Sequence, residues 1–305
     1  MKLFILFFCT VFGAIAQERN YQSTEISIDP EINGTLLTSG NHKNASLAIL
    51  IAGSGPTDRD GNQSQLKNNS LKYLAEGLAE KGIDVFRYDK RIIAQMSKGF
   101  VQEEKLTFED EVNDAFLVVN HFKKKYKKIT LIGHSEGALI GILVAQKAPI
   151  YKFVSLSGAG NSSATLIEEQ IEKNAPQLKE ESQKILNQLK KGELVENVSS
   201  YLAPIFRKSV QPYLISWFKY EPTKEIAKLR IPILITQGTY DLQVESKEAK
   251  LLKEAQPRAQ LLLIEGMNHV LKEVKTPQEN QQSYLNPNLP ISHKLIDGIA
   301  QFIKE

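Results

Sequence analysis

The chain has 305 residues, of which 42% are apolar and 24% charged, with a formal net charge of +3. This is the composition of a globular protein with a sizeable core in one or two domains, and it excludes disordered and fibrous classes. A balance so close to neutral predicts neither a nucleic-acid partner nor strong steering of an anionic substrate.

In chain order, Lys2, the apolar run Leu3 to Ile15 and the small-x-small step Ala14-Ile15-Ala16 read as a secretory signal peptide cleaved after Ala16. The run is short for a spanning helix. Export to a periplasm or the exterior is therefore expected. Loss of residues 1–16 would remove Lys2, leaving 37 basic and 35 acidic residues, and would also remove Cys9, the only cysteine. No disulfide is then expected, although export would permit one. No later stretch is apolar and long enough to cross a bilayer, so no stable membrane insertion of the mature chain is expected, and a monomer is the default expectation.

Strands are predicted at Glu25–Ile28 and Thr35–Thr38, joined by a turn at Asn33-Gly34. Leu47 to Ile51 is a further strand, and a helix is expected from Leu66 to Lys81 with Gly82 just beyond. Strand Ile83 to Tyr88, helix Phe108 to Tyr126, strand Ile129 to Ile132, helix Glu136 to Gln146 and strand Phe153 to Leu156 follow. The alternation breaks at residues 161–220, which are helical, polar and interrupted by Pro204 and Pro212. It resumes with strand Ile233 to Thr236, helix Lys247–Ala255, strand Leu261–Ile264 and a last helix from His293 to Ile303. Repeated βα units imply an α/β fold, a mostly parallel central sheet with helices on both faces. Residues 17–160 and 221–305 form that core, and 161–220 is a helical cap inserted over the carboxyl edge of the sheet. The cap's Leu202, Ile205, Phe206, Tyr213, Trp217 and Phe218 give it an apolar face to pack with.

The strongest chemical signal is Gly133-His134-Ser135-Glu136-Gly137, a G-x-S-x-G between a buried strand and a helix, the context of a nucleophile elbow. There Ser135 would sit on a strained turn with its hydroxyl in the cleft. Gly133 and Gly137 would relieve crowding between strand and helix. The backbone N–H of Glu136, at the positive end of the helix, would face a developing oxyanion. A structural turn or helix cap is the plainer alternative for Ser135.

A serine hydroxyl needs a base. His269, in the loop Glu265-Gly266-Met267-Asn268-His269 after a late strand, is the candidate. His134 is expected to be structural at the strand–helix junction, His42 lies in a polar turn, and His121 and His293 fall in helices. Asp241, after strand 233–236, is the expected acid partner, with Glu265 a weaker competitor. The order Ser135, Asp241, His269 matches this α/β fold and not the other serine-protease folds. The second oxyanion donor is expected in Ala52-Gly53-Ser54-Gly55-Pro56, with Ser54 N–H the first choice and Gly55 the second. Asp58, Asp60 and Asp89 have no histidine beside them at ligand spacing, so no metal or other cofactor is expected.

These three triad segments, together with Ala52 through Asn62 and Arg87-Tyr88-Asp89-Lys90-Arg91, resemble the α/β-hydrolase superfamily over residues 30–304. More narrowly, they resemble its bacterial serine aminopeptidase-like and small-esterase branch with a helical cap. The resemblance implies a serine esterase acting on short acyl or acetyl esters, with Ser135, Asp241 and His269 as triad and Ser54 and Glu136 as oxyanion donors. The partner would be a small-molecule ester. One departure is Ile92-Ile93, where such relatives continue with a glycine-rich turn. It is expected to change one cleft wall. Peptide hydrolysis by the same apparatus is the alternative, with a cap carboxylate such as Glu168, Glu169 or Glu172 binding the substrate amine. A non-catalytic binding role is a weaker one, since binding alone needs no triad.

Overall fold

The computed structural model describes residues 20–40 and 46–305. The signal-peptide expectation and His42 fall outside the described residues. Among the described residues, eight strands form one sheet: β1 (Gln22–Asp29), β2 (Ile32–Thr38), β3 (Ser46–Ile51), β4 (Asp84–Tyr88), β5 (Lys128–His134), β6 (Lys152–Leu156), β7 (Ile233–Gly238) and β8 (Gln260–Ile264). Their spatial order is β1-β2-β4-β3-β5-β6-β7-β8. The β1–β2 and β2–β4 pairs are antiparallel, and every later pair is parallel.

The hairpin turn is not at Asn33-Gly34. Asp29 pairs with Ile32, so Pro30 and Glu31 make the connection and Asn33-Gly34 lies inside β2. Gly34 is needed there for a different reason: a Cβ would fall 2.4 Å from the Phe86 ring.

The helices are α1 (Ser70–Glu80), α2 (Arg91–Ser97), α3 (Phe108–Phe122), α4 (Glu136–Ala145), α5 (Ser163–Asn174), α6 (Lys179–Lys190), α7 (Ala203–Phe206), α8 (Gln211–Trp217), α9 (Pro222–Ile226), α10 (Ser246–Ala255), α11 (Pro277–Ser283) and α12 (His293–Lys304). Helix α1 starts four residues later than the sequence pattern suggests. Leu66 is largely exposed and pairs instead with Gln63 across a short bridge. Helix α3 is fixed at its start by a reciprocal Thr107–Asp110 capping box.

Strand alternation divides the core into two layers. Leu47, Ile49 and Ile51 of β3 pack with Ile129, Leu131, Ile233 and Ile235 against α3, α4 and α10. Ala48, Leu50, Ile132 and Leu234 face the other way, against α1 and α12. Helix α4 is buried from Glu136 to Val144, as expected for the helix that follows a central parallel strand.

Between β6 and β7 the chain leaves the sheet. Helices α5 to α8 surround their own apolar cluster, which includes Ile171, Ile185, Leu189, Phe206 and Leu214. This helical insertion is tied to the sheet domain through α8. Trp217 stacks on Phe108 with ring centroids 5.9 Å apart, and Ser216 Oγ accepts from the Phe108 amide at 2.7 Å. No helix among the described residues is long and apolar enough to cross a membrane.

Candidate active site

Strand β5 ends against α4 with no space for side chains at the junction. A Cβ on Gly133 would lie 2.0 Å from the Gly137 carbonyl oxygen, and one on Gly137 would lie 2.4 Å from that of Ile51. Ser135, between them, is forced to φ 55° and ψ −121°, a region that L-residues occupy only when surroundings over-determine it. Its side chain makes no cap bond to α4, which removes the plain helix-cap reading of this serine. The backbone is pinned by a 2.9 Å bond from Ser135 N–H to the Leu156 carbonyl.

The loop after β3 runs alongside. A Cβ on Gly53 would be 3.2 Å from the Ser135 Cβ. The Ser54 carbonyl is turned away from the cleft and accepts from Thr57 Oγ1 at 2.9 Å and Gln63 Nε2 at 3.2 Å. Among the described residues, the Ser54 and Gly55 N–H groups have no protein acceptor. The Glu136 N–H is the first of α4 and has no helical carbonyl ahead of it. Asp58, Arg59 and Asp60 buttress this loop. Asp58 Oδ1 accepts from the Asp60 and Asn62 amides, Arg59 forks onto Asp89, and Arg87 Nε reaches Asp60 at 2.8 Å.

Asp241 and His269 meet at the ends of β7 and β8. Their backbones run in direct contact: a Cβ on Gly238 would be 2.0 Å from the Met267 carbonyl oxygen, and Tyr240 N–H donates to that oxygen at 3.0 Å. His269 Nδ1 lies 2.8 Å from Asp241 Oδ2. Asp241 also accepts from Gln237 Nε2 and from the Gln243 and Val244 amides, each at 2.9 Å. Burial works to raise the Asp241 pKa, but the charge and bond of His269 and the two amides outweigh it and hold the group below its ordinary value.

His269 is presented by a tight ribbon in which Asn268 and Lys272 exchange bonds of 3.0 Å. His134 Nε2 is 2.9 Å from the His269 carbonyl oxygen. Burial, with the neighbouring His269, drives the His134 pKa down to about 3, so its ring is neutral and donates. Glu265 is exposed, as are His121 and His293, and none of the three contributes to the cleft.

Two spaces adjoin Ser135. A cavity of about 400 Å³ lies under the insertion, lined by Ser54, Gly55, Ser135 and Glu136 on one side and by Leu166, Ile205, Tyr213 and Trp217 on the other. Ile92, where the glycine-rich turn was expected to be missing, greases its wall from helix α2. A smaller polar space of about 140 Å³ lies on the other side of Ser135, lined by His269, Gln63, Asn68, Gln243 and Tyr284. The carboxylates considered for amine recognition lie in neither space. Glu168 bonds Gln183, Glu169 bonds Lys247 and Glu172 bonds Lys179.

Sequence reasoning missed a buried charged group beside the elbow. Lys90 Nζ donates to Glu136 Oε1 at 2.8 Å and to the Gly53 carbonyl at 3.1 Å, and lies 3.8 Å from Glu111 Oε1. Tyr213 Oη of the insertion donates to the same Glu136 oxygen at 2.8 Å. Burial opposes the charge on Lys90, but Glu111 and Glu136 outweigh it and raise its pKa. For Glu111, burial dominates. Lys90 offsets it only in part, and the carboxyl is pushed up to about 7. The sequence signal was available, because Glu111 falls on the apolar stripe of α3 with Phe108, Val112, Ala115 and Val119.

A family model described as serine aminopeptidase, S33, matches residues 67–209. The chain is 28% identical over 274 residues to the esterase EstD of Thermotoga maritima, covering 84% of this chain and 61% of that protein. It therefore spans about three-fifths of the length of the curated relative it matches. Among solved structures, Est1E from Butyrivibrio proteoclasticus superposes with a TM-score of 0.60 at 18% identity, over 93% of this chain and 99% of the other. Dienelactone hydrolase from Anabaena variabilis gives 0.53 at 12% identity, over 93% and 98%. At these identities the structural likeness speaks for the fold alone.

Proposed function

We propose that this chain, which belongs to the α/β-hydrolase superfamily, hydrolyses carboxylic esters through an acyl-enzyme on Ser135. The observation that carries this reading is the convergence on one cleft of a serine held at φ 55°, a loop with free amides and a buried, bonded Asp241–His269 pair. Asp241 fixes the His269 tautomer with the proton on Nδ1, so that Nε2 accepts the Ser135 proton. Oγ bonds to the ester carbonyl carbon as the oxyanion is met by the Ser54 and Glu136 amides. His269 then returns the proton to the leaving alcohol as the carbon–oxygen bond breaks, and a water repeats the cycle to release the acid.

The leaving oxygen must be within reach of His269, which lines only the small polar space. The acyl group is thereby assigned to the cavity under the insertion. Its volume admits acetyl and other short acyl groups, and larger ones as well. Glu168, Glu169 and Glu172, the carboxylates considered for amine recognition, line neither space, which favours esters over free-amine peptides.

The test compares wild type with Ser135→Ala on p-nitrophenyl esters of increasing acyl length, with aminoacyl nitroanilides in parallel. Ester turnover that falls by at least about 10⁴-fold in the variant is expected. Faster turnover of the anilides than of the esters would replace this reading with the peptidase one. We also propose export, on the strength of residues 1–16. N-terminal sequencing of secreted protein expressed from the full gene should begin at Gln17.

A further inference from the structure

The cavity under the insertion has a buried carboxyl in its wall that acyl transfer does not use. Glu111 projects from α3 into this cavity, and its side chain is only 6% exposed. It makes no hydrogen bond among the described residues, and the cation facing it stands 3.8 Å away. That cation, Lys90 Nζ, is already engaged by Glu136 and by the Gly53 carbonyl. A buried carboxyl without hydrogen bonds is unfavourable unless something else supplies them.

We propose that Glu111 is a specificity-determining residue that accepts a hydrogen bond from a hydroxyl carried on the acyl part of the substrate, so that the favoured substrates are esters of hydroxylated acids. This rests on the esterase reading above, which places the acyl group on the Glu111 side of Ser135. Glu103 and Arg207, which line the same cavity, pair their charges with each other, while Ile92, Leu106, Leu139 and Trp217 there suit an apolar acyl body. Its polar end must be a donor, because the two carboxylates Glu111 and Glu136 repel an anion. It must also be neutral, because an ammonium at Glu111 would sit beside the Lys90 ammonium in a site shielded from water. A hydroxyl meets both conditions and gives Glu111 the bond it lacks.

The experiment measures kcat/KM for three series of p-nitrophenyl esters with acyl chains of six to ten carbons: unsubstituted, ω-hydroxy and ω-ammonio. Wild type, Glu111→Gln and Glu111→Leu are compared, and thermal melting confirms that each is folded. Wild type should favour the hydroxylated ester by about tenfold or more at its best chain length, as a hydrogen bond to a charged acceptor provides. The ratio should fall several-fold in Glu111→Gln and approach one in Glu111→Leu. If the leucine variant does not fold, the glutamine variant alone decides. A wild-type ratio near one at every length, a ratio unchanged by substitution, or a preference for the ammonio series would overturn the proposal while leaving the esterase reading intact. Absence of Ser135-dependent turnover of the unsubstituted esters would overturn the esterase reading itself, and this inference with it.

Discussion

Two buried carboxyl groups flank the Ser135 cleft, and their surroundings treat them in opposite ways. Asp241 accepts four hydrogen bonds, from His269, Gln237, Gln243 and Val244. Its pKa is held below the ordinary value although it is almost wholly buried. Glu111 is buried to a similar degree, accepts none, and is pushed up to about 7. Burial is common to both, so the number of donors aimed at each carboxyl decides its charge. On the Asp241 side the protein has built a fixed anion. On the Glu111 side it keeps a group whose charge changes near neutrality.

The comparison is broken most severely at Asp241. Asp241→Asn keeps the shape but lets His269 adopt the wrong tautomer, and kcat should fall by about 10³- to 10⁴-fold with melting little changed. Steady-state kinetics on the best p-nitrophenyl ester measures this. A loss of less than tenfold would mean that Asp241 does not orient the base.

On the other side, Lys90→Met leaves Glu136 and Glu111 buried without their cation and should destabilise the fold by about 3–5 kcal/mol. Urea denaturation reads that loss. The substitution also frees the Gly53 carbonyl beside the oxyanion loop, so kcat should drop more than KM rises. An unchanged kcat would separate Lys90 from the loop it bonds.

Glu111 itself predicts a pH dependence of stability. Its folded pKa lies above its ordinary value of 4.5, so between pH 4.5 and 7 the folded state binds more protons than the unfolded one. Stability from this group is therefore fully present below pH 4.5 and declines as pH rises through 7, by on the order of 3 kcal/mol. Glu111→Gln should flatten that slope. Denaturant melts at pH 5 and pH 8 for both proteins would show it, and parallel slopes would refute it. The smallest effect is expected from Tyr213→Phe. The ring packing on Phe108 and Trp217 is kept while one bond to Glu136 is lost, costing about 1.5 kcal/mol.

These contrasts explain what the sequence could and could not disclose. The α/β architecture was readable because β3, β5 and β7 are short, mostly apolar runs and the chain between them alternates strand and helix patterns. The placement of Ser135, Asp241 and His269 at the ends of strands, and the meeting of the last two, was readable because each follows a strand directly, where one local motif and the chain order locate it. The Lys90–Glu111–Glu136 group was not read, because its members lie at three separate places in the chain, 21 and 25 residues apart, and only the folded sheet brings them together. Glu111 could have been flagged as a carboxylate on a buried helical face. That its partner would be Lys90 depends on β4 lying next to β3, a neighbour that strand periodicity does not specify. The hairpin turn was misplaced because Gly34 looked like a turn residue, whereas the ring of Phe86 on a strand fifty residues later is what requires it. The start of α1 was misjudged because Leu66 continues the apolar spacing while the backbone amides of Asn68, Asn69 and Ser70 are held by the side chains of Asn62 and Asn68.

The direct contact of the β7 and β8 loops at Gly238 and Met267 has a consequence for how such a site can be inherited. Asp241, His269 and every donor to Asp241 fall within residues 233–274, one uninterrupted stretch that begins after the helical insertion has ended. That stretch is a transplantable cassette. A recombination event that moves all of it carries the bonded Asp241–His269 pair whole into a related sheet, whereas a crossover falling between the two separates backbones that are in direct contact. The insertion, bounded by β6 and β7, can then be exchanged for another without disturbing any bond to Asp241, so the cavity wall can diversify while the Asp241–His269 pair stays fixed.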